Sequence, residues 1–294
     1  MLIDFVGLGS MGLGMATSLV RAGHDVRGYD PNTTRVDLFC AQGGMAAGST
    51  SAPADAIVSA VLNADQTRAV LFGEQGIAKD MRKGGVILSC ATVAPDFAKE
   101  MEATAQNLGL LYLDAPISGG AIKAAAGQLS IMASGAPDAF AAAAPVLDAM
   151  AQTVHRLGDA AGAGSAMKAV NQLLAGVHIA AMGEAMAFGA SQGLDPARIV
   201  EVVSASAGTS WMFENRGPHV VEGDYTPRSK VDIWSKDLGI IADIAASSGL
   251  PVPISSNALE QFRAASQAGL GDEDDAAIAK FFARAGGVTL PGDA

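Results

Sequence analysis

A glycine turn close behind the first apolar run most constrains the fold of this chain. Gly7-Leu8-Gly9-Ser10-Met11-Gly12 follows Leu2-Ile3-Asp4-Phe5-Val6 and opens an amphipathic stretch that ends at Gly23. The order is strand, glycine turn, helix. The first glycine permits a tight bend, the second lets the backbone approach a pyrophosphate, and the third lets the helix pack close to the strand. The helix N-terminus then offers N–H groups and the positive end of its dipole to phosphate.

With 35 glycines in 294 residues, such spacing also arises by chance, so its context must carry the reading. A second short strand, Asp25-Val26-Arg27-Gly28-Tyr29, follows the helix and ends in Asp30. A carboxylate there accepts hydrogen bonds from the adenosine ribose of NAD and repels the extra phosphate of NADP. Asp30 also has a plainer role available, as the first residue of the turn Asp30-Pro31-Asn32. Arg35, five residues on, leaves NADP use open.

The length suits two domains, and an Ala-rich, aromatic-poor composition suits closely packed helices more than a β-sandwich. A net charge of −11 argues against a nucleic-acid partner. Cys40 and Cys90 stand far apart with no metal-ligand spacing, so neither a disulfide framework nor a metal site is expected, and buried free thiols are. No basic leader is expected at the N-terminus and no convincing membrane helix, because Asn171, Gln172, His178 and Glu184 interrupt the most apolar region. A cytoplasmic protein is the expectation.

Strand-like runs at residues 56–61, 85–89 and 110–114, separated by helix-length segments, predict an α/β fold with a doubly wound parallel sheet of Rossmann type. Runs at 128–133 and 153–157, flanking a helix over 139–150, are read as extending that sheet. Residues 158–164 form a small-residue bridge, and the boundary is placed there: a dinucleotide-binding domain over 1–161 and an all-helical domain over 162–294. The second begins with a long helix over 165–191, apolar on nearly all sides and therefore buried, which joins the domains. Further helices are expected over 195–206, 229–248, 254–268 and 274–285. The acidic run Gly271-Asp272-Glu273-Asp274-Asp275 is read as the solvated start of the last one.

Ligands of open α/β sheets bind beyond the carboxyl ends of the strands. The loops there are Leu62-Asn63, Cys90-Ala91-Thr92, and Asp114-Ala115-Pro116-Ile117-Ser118-Gly119-Gly120. Ser118, Gly119 and Gly120 offer a hydroxyl and consecutive N–H groups to a carboxylate, although a plain turn has the same composition. In Gly162-Ala163-Gly164-Ser165-Ala166-Met167-Lys168-Ala169-Val170-Asn171, Lys168 and Asn171 share one face of the long helix. A lysine there either meets an anion or has its pKa lowered, and both conditions suit carboxylate binding or proton exchange. The alternative is a lysine that snorkels to solvent. His178 lies roughly 15 Å along the helix and is read as packing.

Four of these segments, the glycine turn, 114–120, 162–171 and Lys236-Asp237-Leu238, resemble in order and spacing the motifs of the β-hydroxyacid dehydrogenases, the relatives of 3-hydroxyisobutyrate dehydrogenase and tartronate semialdehyde reductase. The resemblance covers almost the whole chain. It implies hydride transfer between NAD, or NADP, and a small hydroxy acid. It further implies that Lys168 is the acid/base, that Asn171 positions it and the substrate, and that Ser118, Gly119 and Gly120 hold the carboxylate. Residues 7–12, Asp30, Leu62, Asn63, Thr92 and Lys236 would contact the cofactor. The stretches 210–216, 224–227 and 231–233 resemble the L-threonate dehydrogenase branch. A reductase of tartronate semialdehyde or glyoxylate type is the alternative within the family. Outside it stand an imine reductase, in which another residue would replace Lys168, and a non-catalytic dinucleotide-binding scaffold. An apolar helical domain is expected to pair in a homodimer or homotetramer.

Overall fold

A computed structural model describes residues 1–293. It contains two compact units, Met1–Lys168 and a second starting at Ala169. The division falls inside the long helix, past the 161/162 boundary placed at the small-residue bridge.

The first unit runs β1 (Leu2–Val6), α1 (Gly12–Arg21), β2 (Asp25–Tyr29), α2 (Thr33–Ala41), β3 (Met45–Ala46), β4 (Ala56–Ser59), α3 (Ala64–Phe72), β5 (Val86–Ser89), α4 (Pro95–Asn107), β6 (Leu111–Asp114), β7 (Ile117–Ser118), α5 (Gly120–Ala126), β8 (Leu129–Ala133), α6 (Pro137–Met150) and β9 (Ala151–Arg156). Six strands form a parallel sheet in the order β3-β2-β1-β4-β5-β6, the doubly wound order of a dinucleotide-binding domain, with its switch point between β1 and β4. Its central strands are buried on both faces, as the neighbours Phe5 and Val6, Ile57 and Val58, and Ile87 and Leu88 show, which is why they read as continuous apolar runs. The register sets Val6 beside Tyr29 and Ser59, Ser59 beside Ser89, and Ser89 beside Asp114. Five loops therefore leave the sheet from one edge.

The runs near 128–133 and 153–157 are strands, but they do not extend this sheet. Pro116 brings no N–H to a ladder after β6. The chain turns there, and β7 pairs antiparallel with β8, which pairs parallel with β9 in a separate three-stranded sheet. Only an isolated bridge, Asp114 to Ser134, runs from the end of β6 to the end of β8.

The helix α7 (Ala163–Ser191) is one uninterrupted element of 29 residues. By length and composition alone it is apolar enough to cross a membrane, a test that core helices of folded proteins also pass, and half of its most apolar window is buried inside the protein. It is not buried all round: Met167, Val170, Leu174 and Phe188 are exposed. Then follow α8 (Pro196–Ser204), α9 (Trp211–Glu222), α10 (Val231–Ser248), α11 (Pro253–Ala265) and α12 (Ile278–Ala285). Their core includes Ile179, Met186, Phe213, Trp234, Leu238, Phe262 and Ile278. Asp195 caps α8 through the N–H of Ala197, with Pro196 in the first turn.

The acidic run is not a solvated helix start. Asp274 and Asp275 have no solvent exposure, because α9 and α10 bring them partners. Asp275 takes the Arg216 guanidinium at 2.5 Å and the Trp234 indole N–H at 3.0 Å. Asp274 faces His219 Nδ1 at 2.8 Å and accepts the N–H groups of Arg228 and Ala276. Asp272 alone stays out, paired with Lys230.

Candidate active site

The three glycines of the first loop answer to different demands. Gly7 adopts φ +93°, and a Cβ on it would lie 2.6 Å from the carbonyl oxygen of Ala60. Its N–H donates to the Tyr29 carbonyl at 2.8 Å, tying the loop to the end of β2. A Cβ on Gly12 would overlap the Gly7 carbonyl. Gly9 is different: its φ is ordinary, and a Cβ there would meet nothing closer than the Arg35 guanidinium at 3.7 Å. Nothing in the protein asks for glycine at Gly9. It leaves a cradle in front of α1 that a side chain would fill, which fits a pyrophosphate against the backbone. Of the other loop residues, Leu8 is buried, Met11 is half-buried and Ser10 is exposed.

Asp30 takes the turn role and adds a bond to the glycine loop. One carboxylate oxygen accepts the N–H of Asn32 at 2.8 Å, the turn role, and the other accepts the N–H of Leu8 at 2.8 Å. It thereby fastens the glycine loop to the β2 end, where the Arg35 guanidinium lies 3.7 Å away. Asn63 caps α3 by accepting the N–H of Gln66 at 2.9 Å, and the Gln66 side chain reaches back to the N–H of exposed Leu62. Thr92 is half-buried between buried Ala91 and Val93.

The β6 loop and the start of α7 are built as one piece. Asp114, at the end of β6, accepts the N–H of Gly162 at 3.0 Å, the N–H of Ser165 at 2.8 Å and the hydroxyl of Ser165 at 2.7 Å. Burial pushes its pKa up against the pull of these donors, and the net shift is upward. The helix start lies close against the strand ends, since a Cβ on Gly164 would clash with the carbonyl oxygens of Met132 and Asp114. One turn on, Lys168 is 8% exposed and its ammonium donates to the carbonyl of Ile117 at 2.8 Å. That bond sets Lys168 against the residue preceding Ser118. Gly119 and Gly120 take φ +141° and +77°, a backbone that residues with a side chain rarely adopt. The folding of the first unit thus joins two segments 51 residues apart, an ammonium and a turn with small side chains.

Asn171 is half-buried further along α7, its Nδ2 donating to Gln172 at 3.0 Å. Lys236 lies in α10, its ammonium 2.7 Å from Asp237. Gln172 and Asp237, both buried, have no site role in the sequence reading, although each adjoins a residue that has one. Cys90 is buried and Cys40 half-buried; burial raises the Cys90 thiol to about 12, which leaves it no nucleophile. Among the described residues, no group of three or more His, Cys, Asp or Glu is placed to hold a metal ion.

Known proteins share this fold. Residues 2–158 match the family described as the NAD binding domain of 6-phosphogluconate dehydrogenase, and residues 162–282 match that described as the NAD-binding of NADP-dependent 3-hydroxyisobutyrate dehydrogenase. An L-threonate dehydrogenase of Cupriavidus necator is 48% identical over 99% of this chain and 98% of its own. The crystal structure of a Salmonella typhimurium 3-hydroxyisobutyrate dehydrogenase, also 48% identical, covers 96% of this chain and 99% of its own with a TM-score of 0.90. A Mycobacterium tuberculosis 3-hydroxyisobutyrate dehydrogenase, solved with L-serine, is 30% identical with a TM-score of 0.83, covering 95% and 98%.

Proposed function

Because the chain belongs to the β-hydroxyacid dehydrogenases, in their L-threonate dehydrogenase branch, we propose that it oxidises L-threonate with Lys168 as the acid/base. It is an NAD(P)-dependent oxidoreductase of hydroxy acids. The near-half identity to an L-threonate dehydrogenase along the whole chain carries the choice of substrate. The bond from Lys168 to the Ile117 carbonyl, beside Ser118, supports the choice of base.

The cradle at Gly9 and the α1 N-terminus hold the cofactor pyrophosphate, Asp30 the adenosine ribose, and Leu62, Asn63, Thr92 and Lys236 the remainder. NAD supplies a hydride acceptor for the carbinol carbon. Ser118 and the N–H groups of Gly119 and Gly120 bind the substrate carboxylate. Lys168, as the neutral amine, takes the hydroxyl proton; in reduction, its ammonium returns that proton and stabilises the developing alkoxide. Asn171 aligns the hydroxyl with Lys168. Asp30 in the turn after β2 favours NAD over NADP.

The exposed apolar residues on α7 support a homodimer or homotetramer, and the likeness to bacterial metabolic dehydrogenases supports a place in the cytoplasm. A panel of hydroxy acids, each assayed with NAD and NADP by absorbance of the reduced cofactor, tests the assignment. L-Threonate with NAD is expected to give the highest kcat/KM, and turnover confined to other acids overturns the substrate.

A further inference from the structure

A hydrogen-bonded chain runs through the helical unit, and its two middle members, Gln172 and Asp237, are buried and left unused by the proposed chemistry. Asn171 Nδ2 donates to Gln172 Oε1 at 3.0 Å, Gln172 Nε2 donates to Asp237 Oδ2, and Asp237 Oδ1 lies 2.7 Å from the Lys236 ammonium. Asp237 is 3% exposed. A close helix crossing makes the chain reachable: a Cβ on Gly176, one turn beyond Gln172, would come within 2.9 Å of Trp234 and Leu238. With no side chain there, α10 closes on α7.

The carboxylate dictates the direction of every bond. An ionised aspartate only accepts, so Gln172 must turn its NH₂ toward Asp237 and its oxygen away. That oxygen then claims an N–H of Asn171, which fixes the Asn171 amide as well. The second oxygen of the same carboxylate holds Lys236. Fold stability alone does not call for such a chain, since buried ionic groups offset most of their attraction by desolvation and apolar replacements often do as well.

Resting on the reading that Asn171 serves the substrate and Lys236 the cofactor, we propose that Gln172 and Asp237 are positioning residues, one buried carboxylate orienting the substrate-side amide and the cofactor-side ammonium together.

Gln172→Glu tests the substrate side. Protonated, the introduced carboxyl donates to Asp237 and accepts from Asn171 as the amide does; ionised, it faces Asp237 with like charge. Burial and that like charge raise its pKa above the ordinary glutamate value of about 4.3. The ratio of variant to wild-type kcat should therefore stay within about threefold of unity near pH 5.5 and fall at least about tenfold by pH 9. A ratio that does not change with pH overturns the proposal.

Asp237→Asn and Lys236→Met test the cofactor side by binding alone, and they stand if the first variant does not fold. Each should raise the NADH dissociation constant, read by nicotinamide fluorescence, by about three- to tenfold, and the double substitution by no more than the worse single one. Effects that multiply overturn the shared carboxylate. Wild-type turnover in the same assay separates the two readings: an inactive wild type refutes the dehydrogenase assignment, whereas an active wild type with a pH-flat ratio refutes the positioning role alone.

Discussion

The carboxylate of Asp114 accepts both the backbone N–H of Ser165 at 2.8 Å and its hydroxyl at 2.7 Å, so the end of a sheet strand caps the helix that carries Lys168. The same carboxylate takes the N–H of Gly162, and the Ser134 hydroxyl lies 3.3 Å away. The lysine's placement beside the Ser118 turn follows from this cap, because strand end and helix start cannot move separately.

Asp114→Ala leaves these buried donors without an acceptor. Unfolding in urea should show a loss of about 2–4 kcal/mol. Asp114→Asn, which keeps one acceptor oxygen, should lose less, and equal losses would mean that the hydrogen bonds are not what holds the joint.

Gly9→Ala and Gly12→Ala should separate binding from folding. The first adds a methyl that meets no protein atom nearer than 3.7 Å, so the melting temperature should hold while NADH affinity falls. The second drives a methyl into the Gly7 carbonyl and should cost stability outright. Thermal melting with and without NADH distinguishes the two, and unchanged NADH affinity in Gly9→Ala would reject the cradle.

Asp30→Ala removes both the repulsion of a 2′-phosphate and the clasp on the Leu8 N–H, with Arg35 left nearby. The ratio of kcat/KM for NADP over NAD should rise by about tenfold or more. An unchanged ratio would leave Asp30 with its turn and loop bonds alone.

The Asp274–His219 pair predicts an acid-labile step. Burial raises the Asp274 carboxyl, but His219 and the N–H groups of Arg228 and Ala276 outweigh it and hold it below the ordinary range. A depressed folded-state pKa contributes stability that is present above the unfolded value, about 3.9, and is lost as pH falls through the folded one. Asp274→Asn should therefore be less stable than wild type at pH 7, and the difference should narrow below about pH 4. A gap that stays constant down to pH 2.5 would contradict this.

Legibility in the sequence followed the range of the interactions. The strands β1, β4, β5 and β6 are apolar runs bounded by turn residues, β2 is a short run placed by the glycine turn and helix before it, and their order follows from alternation with helices, so the sheet and its ligand edge could be read directly. The second sheet could not: β8 and β9 look like more of the same, and only the turn at Pro116 and the antiparallel β7 separate them. Asp274 and Asp275 read as a solvated cap because Arg216, His219 and Trp234, their partners, lie more than forty residues away. The helix α9, which supplies two of them, contains Gly217 and Pro218, and nothing in its pattern announces it. Lys168 and Ser118 stand out through the resemblance of their segments to a family's motifs, since composition alone also fits a solvent-facing lysine and a plain turn. Gln172 and Asp237 do not, because an amide and a carboxylate acquire a role only when Gly176 lets two helices meet.

The central claim is the role of Lys168, and Lys168→Ala tests it most directly when kcat for L-threonate with NAD, NADH affinity and melting temperature are measured on one preparation. The account predicts a folded protein that binds NADH within about threefold of wild type while kcat falls by about 10²–10⁴-fold. A folded Lys168→Ala protein that turns over at the wild-type rate would contradict it.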